Sequence, residues 1–174
     1  MKQQTSKLEK LLRTDDRHTR SLFVDPGLGG TGWAYFPTMP GAPKKWGVLN
    51  ERIKADSGDW YSRAFRLAEK FEKVLDEFEP NVVVLEMGEL WAGSEVSVTS
   101  GKRGDLLKLV FLIGVLSEVC HKNDYRVVLV TPNEWKGNLP KEVVASRCEA
   151  VFGFTVGNHE QDAIGMGLSA QGAL

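Results

Sequence analysis

The chain predicts an α/β fold: a mixed five-stranded sheet, three antiparallel strands followed by α-β alternation, with helices on both faces. Three observations carry this reading. Short apolar runs at Ser21–Asp25, Thr31–Phe36 and Lys45–Asn50 are joined by Gly- and Pro-rich connections, so they read as one antiparallel unit. Helix and strand patterns then alternate towards the C-terminus, which calls for parallel strands joined by crossover helices. Finally, 174 residues with 42% apolar and 26% charged content suit a single domain with a real core.

The elements follow in order. Residues 1–20 read as a polar N-terminal arm, with a helical tendency around Lys7–Leu12, and residues 21–174 form the folded domain. Ser21–Asp25 is an apolar strand that ends in an Asp-Pro-Gly turn, and Thr31–Phe36 is the returning strand of a hairpin. Pro37 to Pro43 is a loop. The clearest helix is Trp60–Phe78: Tyr61, Ala64, Phe65, Ala68, Phe71, Leu75 and Phe78 keep helical spacing, Asp59 caps its start and Pro80 stops it. Val82–Glu86 is a short buried strand, and residues 87–101 are a Gly/Ser/Thr loop. Asp105–Lys122 is a second helix, apolar nearly all round, which suits the core and also an interface between copies. Arg126–Thr131 is the fifth strand, ended by Pro132. Helices over Pro140–Val151 and Asn158–Ala170 complete the chain, with Pro140 in a first turn and Asn158 as a cap.

Bulk properties exclude several classes. Cys120 and Cys148 form no CxxC pair, so neither a disulfide framework nor a zinc site is expected, and both read as buried thiols. Residues 1–20 contain no secretory apolar segment, and the longest apolar stretch, Leu106–Cys120, is too broken and short to span a bilayer. A cytoplasmic protein is expected. The net charge of -1 announces no polyanionic partner. Locally, however, residues 101–147 carry eight bases and five acids, whereas residues 51–90 carry ten acids and six bases. A basic face can therefore coexist with a near-neutral total.

Four residues carry the chemical argument. Asp25 ends SLFVD, Glu86 ends VVVLE, and His159 and Asp162 stand three apart in NHEQDAIGMGL, on one helix face. Acids at two strand ends, with a helix aimed at them, can build an oxygen-rich pocket suited to Mg²⁺ or Mn²⁺. Blander readings exist for each. Asp25 can merely start a tight turn, Glu86 can reach water, and His159 and Asp162 can answer the helix dipole. Glu89 is a weaker substitute ligand, and His18 and His121 read as solvated. The segment DPGLGGTGWAYF contains a literal GxGxxG, but aromatic strand residues and Pro37 follow it, so a dinucleotide-binding helix is rejected. Lys136 and Lys141 flank the WKGNLPK turn and are either solvated or phosphate-binding. Trp91 is either a base-stacking wedge or loop packing. With Lys102, Arg103 and Lys108, these residues outline a DNA path through the one basic stretch.

The segments FVDPGLGGTGWA, VVVLEMGELW, VTPNEWKGNLPK and HEQDAIGMGL, spread over residues 21–170, together resemble RuvC-type Holliday-junction resolvases of the ribonuclease-H-like superfamily. The TPxxWKG and PK elements look most like the resolvase-like proteins of bacteriophages. The resemblance implies that Asp25, Glu86 and Asp162 match metal-binding acids. It puts His159 where relatives carry Asp or His, and Lys136 and Lys141 near the catalytic-region lysines. It further implies two Mg²⁺ ions, replaceable by Mn²⁺, paired nicking of four-way DNA junctions, and a homodimer through the 105–122 helix. Leu90-Trp91 stands where the family has an aromatic wedge, and the N-terminal arm precedes the family's usual start. Two other readings stay open: the same fold cutting flaps, branched replication DNA or RNA–DNA hybrids, and a non-catalytic junction-binding protein. An actin-like or sugar-kinase ATPase would need a second lobe, for which the chain is too short.

Overall fold

The structure, a computed structural model, describes residue 8 and residues 19–51, 59–88, 104–153 and 156–174. It contains strands β1 (Ser21–Asp25), β2 (Thr31–Phe36), β3 (Lys45–Leu49), β4 (Val82–Glu86) and β5 (Arg126–Val130). Its helices are α1 (Trp60–Phe78), α2 (Asp105–Lys122), α3 (Pro132–Trp135), α4 (Lys141–Phe152) and α5 (Asn158–Ala170). The strands form one five-stranded sheet in the order β3-β2-β1-β4-β5. β1 pairs antiparallel with β2, and β2 with β3; β4 runs parallel to β1 and to β5. This is the mixed sheet that the element order predicts.

Period-two alternation sorts the strand side chains into two cores. Leu22, Val24, Trp33, Tyr35, Val83 and Leu85 face α1 and α2, whereas Phe23, Ala34, Phe36, Val82, Val84 and Val130 face α5. Helices therefore cover both faces. On the first face, Phe71 and Leu75 of α1 are fully buried, each contributing about 1.5–3 kcal/mol by leaving water. On the second, α5 lies so close to the hairpin that a Cβ added to Gly32 would overlap the backbone carbonyl of His159. A Cβ on Gly167 would likewise overlap the Phe36 ring. The small residues of α5 permit this approach.

Local signals explain most boundaries. The Asp59 carboxylate accepts from Ser62 N–H and caps α1, as expected. The helix ends at Glu79, whose φ of 42° is left-handed, just before Pro80. Other expectations are corrected. Asn158 is the first residue of α5 rather than its cap; Gly157 holds the cap position with no side-chain cap, and the Glu160 carboxylate lies against it. The strand expected to run to Thr131 stops at Val130, because Thr131 is the cap of the extra one-turn helix α3. There Thr131 and Glu134 form a reciprocal capping box, with Pro132 in the first turn. Within the expected N-terminal arm, Leu8 is fully buried in the core on the α5 side. Cys120 and Cys148 are buried free thiols, as expected, and burial pushes them up to about 12 and about 11. Among the described residues, no helix is long and apolar enough to cross a membrane.

Candidate active site

Asp25 and Glu86 are the last residues of adjacent parallel strands, whose pairing runs to Val24 opposite Leu85. Both strands are buried apolar runs, so each terminal acid is carried out of the core at the same end of the sheet. The first turn of α5 lies over this end. His159 Nδ1 stands 2.6 Å from Asp25 Oδ2. Asp162, one turn further along, is held by Lys141 Nζ at 3.4 Å from its Oδ2, while its Oδ1 is buried with no partner. The four residues singled out in the sequence thus share one neighbourhood.

Electrostatics show how closely they interact. Desolvation by burial pushes Asp25 above the usual carboxylate range; the hydrogen bond and charge of His159 act against this, and the charge of Asp162 adds to it. Desolvation, followed by repulsion from Asp25, pushes Glu86 up to about 7. Lys136 and the Trp135 hydrogen bond pull it back. His159 is raised, first by its hydrogen bond to Asp25. Burial is the first cause at both acids, with the mutual repulsion of the carboxylates and the pull of His159, Lys136 and Lys141 following it. Among the described residues, no three His, Cys, Asp or Glu side chains form a closed metal-holding group. Asp25, Glu86 and Asp162 are each engaged by a different nitrogen donor, from His159, Trp135 and Lys141 respectively.

The lysines divide. Lys141, at the first residue of α4, reaches Asp162 directly, and Gln161 Nε2 ties its carbonyl to α5 at 3.3 Å. Lys136 acts on Glu86 through its charge and sits over the Trp135 ring, 4.8 Å from the centroid. Lys108 is not brought to the acids; it pairs with Asp105 one turn away on α2. Trp91, Lys102, Arg103, Glu89 and His18 lie outside the described residues. His121 is exposed on α2, as expected.

Sequence reasoning missed two residues here. Trp135 is buried, and its indole Nε1 donates to Glu86 Oε2 at 3.2 Å. Gln161 is buried between α4 and α5. For Trp135 a signal existed: TPNEW is a one-turn capping-box helix placed right after a strand, which points a large side chain back at the sheet end.

No family model matches the chain, and no curated protein matches it in sequence. Solved structures do. Thermus thermophilus RuvC in complex with a Holliday junction substrate is similar over 87% of this chain and 92% of its own, with a TM-score of 0.70 and 18% identity. The yeast mitochondrial Holliday junction resolvase is similar over 96% of this chain and 81% of its own, with a TM-score of 0.59 and 17% identity. Strand order, the mixed pairing and the helices on both faces agree with this likeness. The chain has the RuvC-type, ribonuclease-H-like fold.

Proposed function

We propose that this protein is a metal-dependent endonuclease that cuts four-way DNA junctions by paired nicking. The observation that carries the reading is the convergence of Asp25, Glu86, His159 and Asp162 at one end of a RuvC-type sheet, with Lys136 and Lys141 beside them. RuvC of this fold is seen holding a Holliday junction.

The residues present fit a divalent cation. Asp162 keeps a buried oxygen without a partner, and Asp25 and Glu86 bring two more largely desolvated carboxylates to the same sheet end. Carboxylate oxygens with one imidazole suit Mg²⁺, or Mn²⁺ in its place. Asp25, Glu86, His159 and Asp162 would hold the metal, which when bound supplies an activated water and stabilises the leaving oxygen. Lys141 and Lys136 would set positive charge where negative charge builds up on the phosphate as it is attacked. His159 has Nδ1 engaged by Asp25, so Nε2 is its free nitrogen for a ligand or a proton.

A second copy completes this reading. Leu107, Val110 and Phe111 of α2 are exposed, and Trp60 and Phe65 of α1 make edge-on contacts with Phe111. A contiguous apolar face of this kind suits a partner surface. A two-fold dimer would present two sites to a two-fold junction, and so yield paired nicks.

The test is to incubate the protein with labelled four-way junction, flap, duplex and RNA–DNA hybrid, in Mg²⁺, Mn²⁺ or EDTA. Paired nicks in the junction, abolished by EDTA, are expected. Asp25→Asn, Glu86→Gln and Asp162→Asn should each slow cutting by more than the roughly 100-fold that loss of an outer partner of a metal ligand costs. Junction binding should persist or tighten, since each change removes negative charge. Preferred cutting of flaps or hybrids would move the substrate assignment, and binding without cutting in either metal would leave a junction-binding protein.

A further inference from the structure

Trp135 is held from every side. It ends α3, whose turn is closed by the bonds from Glu134 N to Thr131 Oγ1 at 3.3 Å and from Thr131 N to Glu134 Oε2 at 2.9 Å. Ser169 Oγ of α5 donates to the Trp135 carbonyl at 2.5 Å. The ring packs so tightly on α5 that a Cβ at Gly165 would stand 2.9 Å from it. Only 3% of the residue is exposed. A ring so confined has one orientation, and its single polar atom, Nε1, donates to Glu86 Oε2. On the ring face sits the Lys136 ammonium. The indole thus touches a strand-end acid with its edge and a lysine with its face.

We propose that Trp135 is a positioning residue for this site: its indole N–H holds one oxygen of Glu86, leaving the other for a divalent cation, and its ring face holds the Lys136 ammonium near the same carboxylate. This rests on the metal-dependent nuclease reading and adds to it a determinant of metal affinity that does not itself touch the metal. The physical ground is general. A ligating carboxylate needs its second oxygen oriented, and losing the group that does so typically weakens metal binding by roughly 10- to 100-fold. The opposing reading is that Glu86 merely satisfies a buried indole, which needs an acceptor wherever it is buried. The two readings differ in what metal binding feels.

The test is Mn²⁺ binding by calorimetry or electron paramagnetic resonance, on the whole chain without DNA. Trp135→Phe keeps an aromatic ring for packing and for Lys136 but removes the N–H. It should weaken Mn²⁺ binding by roughly 10- to 100-fold and lower kcat on the junction while leaving KM unchanged. In the Glu86→Gln background the same change should have almost no further effect, because the oxygen it orients is no longer a carboxylate ligand. Trp135→Phe that binds Mn²⁺ like the wild type and loses only thermal stability would overturn the proposal. So would fully additive effects of the two changes. A second measurement needs no Trp135 variant. In ¹⁵N-tryptophan spectra of the five-tryptophan protein, one indole signal should shift on Mg²⁺ addition, and that same signal should already be moved in metal-free Glu86→Gln. If no indole signal responds to both, the inference is overturned. A wild type that takes up no Mn²⁺ would instead overturn the nuclease reading, and this one with it. Metal uptake with the coupling intact, but no cutting of any DNA, would overturn the nuclease reading alone.

Discussion

His159 Nδ1 lies 2.6 Å from Asp25 Oδ2, joining the first strand to the last helix across 134 residues of chain. The contact fixes the imidazole and also removes one oxygen of Asp25 from the open pocket. It ties the first turn of α5 to the end of β1.

The first prediction tests that role. His159→Asp should retain substantial cleavage in Mg²⁺ and lose preference for Mn²⁺, because imidazole favours Mn²⁺ over Mg²⁺ and a carboxylate does not. The measurement is initial rate against metal concentration for both ions. Complete inactivity of a folded His159→Asp protein in both metals would assign His159 an essential proton transfer instead.

The stability of the metal-free protein should fall as pH rises from about 5 to about 8. Glu86 ordinarily titrates at 4.5 and is raised to about 7 in the folded state. Between those values the folded chain keeps a proton that the unfolded chain has released, so raising the pH favours unfolding. The Glu86 contribution is at most roughly 3 kcal/mol. Asp25 and His159, both raised, act in the same direction. Urea titrations in EDTA at several pH values should show this slope, and Glu86→Gln should reduce it. Equal stability at pH 5 and pH 8 in the wild type would contradict the burial assigned to Glu86.

Gly32→Ala should destabilise the protein and impair the site together. A Cβ there overlaps the His159 carbonyl, so α5 must move off β2 or the strand must shift. Overpacking of this kind costs about 1–3 kcal/mol. Thermal melts should record the loss, and cleavage should fall further than that loss explains. Gly29→Ala, where an added Cβ meets nothing within 4 Å, is the control.

The α2 helix separates association from folding. Val110→Glu alters a half-exposed position and should give a folded monomer that binds junctions weakly and no longer nicks them in pairs. Ile113→Glu puts a charge into the core, where that residue is 5% exposed, and should unfold the protein instead. Light scattering with circular dichroism distinguishes the two outcomes. A wild type that stays monomeric at micromolar concentration, with and without junction DNA, would remove the dimer.

The sequence by itself determined the order of the five strands and the four longer helices, the mixed sheet and the strand-end positions of Asp25 and Glu86. These are local properties: apolar runs with period two or 3.6, stopped by Pro, Gly or an acid. It also determined the shared helix face of His159 and Asp162, which follows from spacing alone. Tertiary structure decided the rest. Trp135 meets Glu86 across 49 residues, Gln161 holds the Lys141 backbone, and Gly32 lies beneath His159. It also decided which apolar residues of α2 face outward, since a helix apolar nearly all round carries no moment that picks a buried side. Those relationships depend on how closely α5 and α2 approach the sheet. That approach is decided by the packing of side chains from distant segments, which no local pattern in the chain encodes.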